Sequence, residues 1–444
     1  MPNIPKAETP ITPISLVRTA LPIGAFYLTE ILVGLTDLAV VGALGTTDLA
    51  AVGLGKTILL SVMVIGFAVL SIGTVLMAEK PNPARCGAVV LASVAMIIPF
   101  VTLAIIVANA SGAILTASGY DPDFIVAFDR YAGILAWAIA PALLFSVLKN
   151  VLNAVERTAA ITWLSIGIVL GNLMTSIALV HGIGAWQGLG VAGAAWATLG
   201  VNACAAIALL GLVLCSDHVR VRRLRRHVVV RFMADIIRLG WAAGAQQALE
   251  SVLFIVVLYL LGLYSTLWLA AGTLVFAIME LNYAASGALG EVLAARIAAN
   301  RSKGHANLTR LLRIGGIVAG VVAACIALVA GIFADATVTL FSSSDISSEV
   351  RSLMVNLLRW TAPFFVFDAL QIVYIHALRG LRQTVMPMLL STSCYWVVGL
   401  GGGMFLAEAT SFGALGVWIG FCLGLACAAV LLSTIAFCAA RRLG

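Results

Sequence analysis

Charge is what this chain has least of: 10% of its 444 residues are Asp, Glu, Lys or Arg, against 62% hydrophobic residues and a mean hydropathy of +1.10. So few charges cannot coat a globule in water, which excludes a soluble domain. Catalytic motifs are missing too. There is no phosphate loop, no Ser nucleophile elbow and no metal-type spacing, and the five histidines (His181, His218, His227, His305, His376) are dispersed. The eight cysteines (Cys86, Cys204, Cys215, Cys325, Cys394, Cys422, Cys427, Cys438) lie in apolar segments without ligand spacing and read as small packing residues. No cleavable signal peptide is expected, since Met1 to Thr12 is polar and Pro-rich and the first apolar run has no small-residue cleavage site.

What the chain does have is hydrophobic run after hydrophobic run. About 20 helical residues cross a ~30 Å hydrocarbon layer, and twelve windows of that kind have cores near 14–42, 49–78, 87–110, 124–148, 159–181, 189–215, 240–263, 267–298, 308–333, 352–377, 384–407 and 413–438. The runs are continuous and do not alternate with period two, so they predict helices and exclude barrel strands. The fold class expected is an all-α polytopic membrane protein.

Basic residues fall in every second connection: Lys80 and Arg85, Lys149 and Arg157, Arg220 to Arg238, Arg296 to Arg313, Arg379 and Arg382, Arg441 and Arg442. Alternate connections such as Gly45 to Asp48 and Tyr264-Ser265 carry no Lys or Arg, and Arg351 is the exception, just before span ten. The positive-inside rule then puts both termini in the cytoplasm, and the net charge of +7 reflects orientation and anionic headgroups, with no nucleic acid partner expected.

The chain also repeats itself. At an offset of 220 residues Arg18, Gly24, Glu30 and Gly42 match Arg238, Gly244, Glu250 and Gly262, and Leu49-Ala50-Ala51 matches Leu269-Ala270-Ala271. Further on, Leu152 to Thr158 resembles Leu378 to Thr384, and Gly193-Ala194-Ala195-Trp196 resembles Gly416-Val417-Trp418. The basic stretch after span six divides the protein into an N-terminal six-helix lobe (1–216), a cytoplasmic linker (217–239) and a C-terminal six-helix lobe (240–444). Six is even, so the halves are parallel repeats about an axis along the membrane normal. Pro141 in span four and Pro363 in span ten can each bend a helix by removing a backbone donor.

Acids inside such spans call for a function. An ionised carboxylate at mid-membrane costs on the order of 2.5–3.5 kcal/mol on insertion scales, so it must be protonated, ion-paired or bound to a cation. Glu30 and Asp37 stand two turns apart on one face with Gly34 between them, and Glu30 can pair with Lys56 in span two. Glu250 has Gln246 and Gln247 one turn before it; Asp368 has Gln371 at i+3 and Pro363 five residues earlier, so freed carbonyls could complete a cation site. Glu280 either pairs with a base or faces the substrate path, and Asn172 reads as a hydrogen bond between helices or a substrate contact. Gly401-Gly402-Gly403 reads as close helix packing.

Taken together, Gly34-Leu35-Thr36-Asp37, Gly42-Ala43-Leu44-Gly45, Asp48 to Gly53, Gln247-Ala248-Leu249-Glu250, Phe367 to Gln371 and Leu378-Arg379-Gly380 resemble the multidrug and toxic compound extrusion (MATE) transporters, in their NorM-like branch, over essentially the whole chain. The resemblance implies twelve helices in two lobes forming a V-shaped cleft, and export of small organic, cationic or amphiphilic substrates in exchange for H⁺ or Na⁺ by alternating access. It implies no cofactor beyond that ion. By position Asp37, Glu250 and Asp368 match the family's coupling acids, with Na⁺ at Glu250 and Asp368 as one form of the site. Thr273 and Ser286 stand where the family usually has Gln and Pro, and Glu280 and Glu291 where it is usually uncharged. A bacterial inner-membrane protein acting as a monomer is expected. The alternatives are a dedicated exporter of one metabolite such as a siderophore, a flippase for lipid-linked intermediates and, in another class, a membrane enzyme using its acids as general acid and base.

Overall fold

The computed structural model describes residues 12–216, 218–220, 225–302, 304–341 and 348–442. Eleven helices in it are long and apolar enough to cross a membrane, and a bent pair brings the number of spans to twelve. In order these are Pro13–Gly42, Thr46–Ala78, Pro83–Ala117, Pro122–Ala154, Ala159–His181, Val191–Leu214, Arg226–Tyr264, Thr266–Asn300, His305–Ile332, the pair Ser348–Thr361 and Phe364–Gly380, Val385–Ala409 and Ala414–Arg442. Contacts divide them into two compact units, Ala25–Gln247 and Ala248–Gly444 with the chain up to Gly24. The segment expected as a linker is helical from Arg226 onward, as the first turns of span seven, while Asp217 and residues 221–224 lie outside the described residues.

Local chemistry sets the connections. Asn82 and Asp121 each precede a proline at the first helical position and accept from the backbone N–H two residues on, at 2.9 and 2.8 Å, which starts spans three and four sharply. Arg85 ties the turn before span three together: it donates to Glu79 at 2.8 Å and to the Leu76 carbonyl at 2.7 Å, and lies over the Phe232 ring. The Arg220 N–H bonds the Pro83 carbonyl at 2.9 Å, so the start of the basic segment is fixed against the same turn.

The internal repeat is visible as geometry. Glu156 and Arg382, equivalent in the two copies of the Leu-to-Thr motif, are the two non-glycine residues with positive φ among the described residues, at 56° and 62°. In each copy the N–H of the following residue returns to the carbonyl five back, Arg157 to Leu152 at 2.8 Å and Gln383 to Leu378 at 2.9 Å, which closes the helix with a left-handed residue. The 220-residue diagonal holds as well: Gly42 faces Leu49 and Gly262 faces Leu269 across the turns between spans one and two and spans seven and eight.

Spans ten and eleven depart from straight helices. Span ten bends by 52° at Ala362-Pro363, as expected of a residue without an N–H. Thr361 closes its first limb and accepts from the Trp418 indole at 2.8 Å. Trp418, Phe421, Phe254 and Phe276 stack there into one aromatic core. In span eleven, Cys394–Gly401 widens into a π-helical segment. Spans eleven and twelve then approach backbone to backbone: a Cβ on Gly424 would fall 2.8 Å from Gly399 Cα, and one on Gly403 2.9 Å from the Val417 carbonyl. The glycine run is thus helix packing, as its composition suggests.

Three bases expected in connections are instead inside helices and buried. Lys149, 1% exposed, sits in span four with its ammonium 5.0 and 5.3 Å from the Phe26 and Tyr27 ring centroids. Arg379 ends the second limb of span ten, and Arg296 in span eight donates to the Ser15 hydroxyl at 2.9 Å and its carbonyl at 3.1 Å. These helices run on past their apolar windows, so position near a window's end mistakes an internal base for a loop residue.

Gly403→Ala should lower the unfolding free energy by about 1–3 kcal/mol, the usual cost of forcing a methyl into a packed contact. Gly402→Ala, whose added Cβ meets nothing within 4 Å, should be neutral or slightly stabilising. Thermal unfolding of the two detergent-solubilised variants checks this, and equal melting temperatures would contradict the packing assignment.

Candidate functional site

Two buried polar clusters form, one within each unit, and they differ in whether donors or acceptors are in excess. In the Ala25–Gln247 unit the centre is Asp37, fully buried in span one. Its Oδ1 accepts from the Asn172 amide at 3.0 Å and the Ser176 hydroxyl at 3.5 Å, and its Oδ2 from the Thr198 hydroxyl at 3.1 Å and the Tyr131 phenol at 3.4 Å. Lys56 Nζ lies 3.5 Å from Oδ2. Gly34 makes room for that lysine, since a Cβ there would sit 3.0 Å from Nζ. Thr198 is also 3.2 Å from the Asn172 carbonyl oxygen, so its single proton serves one of two acceptors.

Glu30 shares a small cavity of about 50 Å³ with Asp37, Lys56, Thr198 and Asn202, room for about one water. The expected Glu30–Lys56 pair is corrected in one respect: the ion pair of Lys56 is with Asp37, and Glu30 lies within its electrostatic reach. Asn172 proves to join helices through the carboxylate itself, linking span five to span one.

In the second unit the centre is Asp368, 4% exposed, one turn beyond the bend in span ten. The Asn282 amide nitrogen of span eight donates to its Oδ2 at 2.8 Å and to the Phe365 carbonyl at 3.1 Å. Gln371, on the same helix face as Asp368, donates to the Tyr395 phenol at the π-helical segment. Glu250, 8% exposed, is within electrostatic reach of Asp368 and Arg379, and Tyr283 and Tyr395 border the same acids. Two buried acceptors here have no donor: Asn282 Oδ1 and Gln371 Oε1. Buried amide oxygens left unbonded cost about 1–3 kcal/mol each. Two carboxylates and two free amide oxygens make an acceptor-rich cluster suited to a hard cation.

Not every predicted residue joins. Glu280 is exposed among mostly buried neighbours on span eight and makes no ion pair among the described residues, whereas Glu291 is buried on the same helix and borders Tyr283. Gln246 and Gln247 precede Glu250 on span seven but fall in the Ala25–Gln247 unit. Tyr131, Ser176, Thr198, Asn282, Tyr283, Tyr395 and Arg379 were not foreseen as site residues. Of these, Asn282 had a legible signal, a lone amide in an apolar span like Asn172.

Buried acid clusters within a repeated helical membrane fold are the features expected of a membrane transporter. The MatE family matches residues 22–178 and 242–405, and the chain belongs to that family of membrane transporters. A probable multidrug resistance protein NorM of Bradyrhizobium diazoefficiens is 29% identical over 93% of this chain and 90% of its own. One of Rhodopseudomonas palustris is 30% identical over 94% of this chain and 90% of its own. Among solved structures, a MATE protein in its straight conformation superposes with a TM-score of 0.85 at 18% identity, covering 97% of both chains.

Lys56→Met should destabilise the protein by about 3–5 kcal/mol if the pair behaves as buried, and by less to the extent that the 18% exposed lysine is solvated. Lys56→Met combined with Asp37→Asn should recover part of the loss, because the amide needs no counter-charge. A double-mutant cycle by denaturation checks this; additive losses would show that the two side chains do not interact.

Proposed function

We propose that this protein is an antiporter that exports small organic cations or amphiphiles across a bacterial inner membrane in exchange for an inward-moving cation. The proposed coupling site is Glu250 and Asp368 with Asn282 and Gln371. The observation that carries this reading is the pair of buried amide oxygens without donors beside the two acids. Asp37, by contrast, is saturated by four neutral donors and a lysine. A proton satisfies one acceptor at a time, whereas Na⁺ takes several oxygens, so the surplus favours Na⁺, with H⁺ competing for the same carboxylates. The names of the NorM relatives support drug-like substrates, and the buried acids Glu250 and Asp368 support cationic ones. Binding at this site would bias two nearly balanced states in alternating access, with both termini in the cytoplasm and the monomer as the working unit.

Uptake of a fluorescent organic cation into inverted vesicles should follow an imposed Na⁺ gradient at fixed pH and should need no ATP. Glu250→Gln and Asp368→Asn should each abolish coupled uptake, a loss on the order of a hundredfold or more from removing one of the two binding charges, in protein that is still folded and inserted. Full transport by either folded variant would overturn the site. Uptake that ignores Na⁺ but follows pH would assign the ion as H⁺, and uptake requiring ATP with both gradients collapsed would end the antiport reading.

A further inference from the structure

Outside both acid clusters, a groove of about 810 Å³ opens at the His305 end of span nine, between that helix and the C-terminal end of span twelve. His305, Arg310, Arg313 and Arg441 line its polar part, and Ile314 and Ile317 its apolar part. We propose that this groove binds the phosphate headgroup of an anionic phospholipid, with an acyl chain lying down span nine. Three guanidinium groups converge there from two helices, and among the described residues none of the three has a carboxylate partner. Arginines so gathered repel one another unless an anion sits between them, and guanidinium matches phosphate with paired N–H donors.

The apolar wall identifies the source of that phosphate. From Arg310 and Arg313 the same face of span nine continues through Ile317, Val321 and Leu328, exposed by 57, 58 and 63%. Their spacing of four and seven residues keeps them on one stripe. A free phosphate would use the arginines and leave this stripe unused. A lipid uses both, because its headgroup is joined to chains that run along the helix. The arginines also fall at a span end, where the positive-inside rule expects contact with the leaflet that carries anionic lipid.

Native mass spectrometry of the purified full chain in neutral detergent, with added dioleoylphosphatidylglycerol, dioleoylphosphatidylcholine or inorganic phosphate, tests the site. The wild type should bind the anionic lipid about tenfold or more tighter than the zwitterionic one. Each arginine removed should cost about fivefold in affinity for the anionic lipid, so Arg313→Gln loses about fivefold and the Arg310→Gln/Arg313→Gln/Arg441→Gln variant about a hundredfold. Arg18→Gln/Arg231→Gln/Arg238→Gln, an equal change of net charge elsewhere, should leave binding unchanged. Undiminished binding by Arg313→Gln, an equal loss in the control variant, or no preference between the two lipids would each overturn the site. Displacement of the lipid by millimolar inorganic phosphate would overturn the lipid assignment and leave a free-anion site.

Discussion

An anionic oxygen in hydrocarbon has to be answered by something positive, and most of the polar architecture of this chain follows from that requirement. The structure answers it in two ways. Around Asp37 the protein supplies everything itself: amide, hydroxyls, phenol and ammonium converge from spans two, four, five and six. Around Asp368 and Glu250 it supplies less than it demands, and two amide oxygens remain unanswered. The same backbone repeat, with the same left-handed helix closures at Glu156 and Arg382, therefore carries a donor-saturated cluster in one half and an acceptor-rich one in the other.

This contrast explains what could be read from the sequence. Glu30, Asp37, Glu250 and Asp368 stood out because a carboxylate in an apolar run is costly wherever the helix ends up. The bend at Pro363 was legible because a missing N–H acts locally, without help from tertiary structure. Tyr131, Ser176, Thr198 and Tyr395 were not, because phenols and hydroxyls are ordinary in membrane helices and become site residues only when four or five helices cross at one carboxylate. The π-helical segment at Cys394–Gly401 also depends on that crossing, since it forms where Gly399 packs against Gly424 on the next helix. For Glu280 the charge is visible in the sequence, but the face it occupies is not.

Buried bases show the same limit. Lys149 and Arg379 were assigned to connections because their neighbours turn polar, yet helices continue past the apolar window and carry them inward. Lys149 then finds the faces of Phe26 and Tyr27, and Arg379 comes within electrostatic reach of Glu250. A base drawn a turn or two into its helix still stays at the same end of it.

An acceptor-rich site is also an energetic device. Two amide oxygens without a protein donor, at about 1–3 kcal/mol each, represent on the order of 2–6 kcal/mol in this cluster. Shifting a two-state equilibrium from 1:99 to 99:1 takes about 5.5 kcal/mol of differential binding. The two magnitudes overlap, so on the proposed reading relieving those oxygens with a cation in one state and exposing them to water in the other would supply most of the bias that alternating access needs. The Asp37 cluster has a smaller reserve, since only the sharing of one Thr198 proton between two acceptors leaves anything unmet there, and a cation entering would first have to displace Lys56. On the proposed reading, coupling energy would reside at the Asp368 cluster, where two amide oxygens beside the acids have no donor.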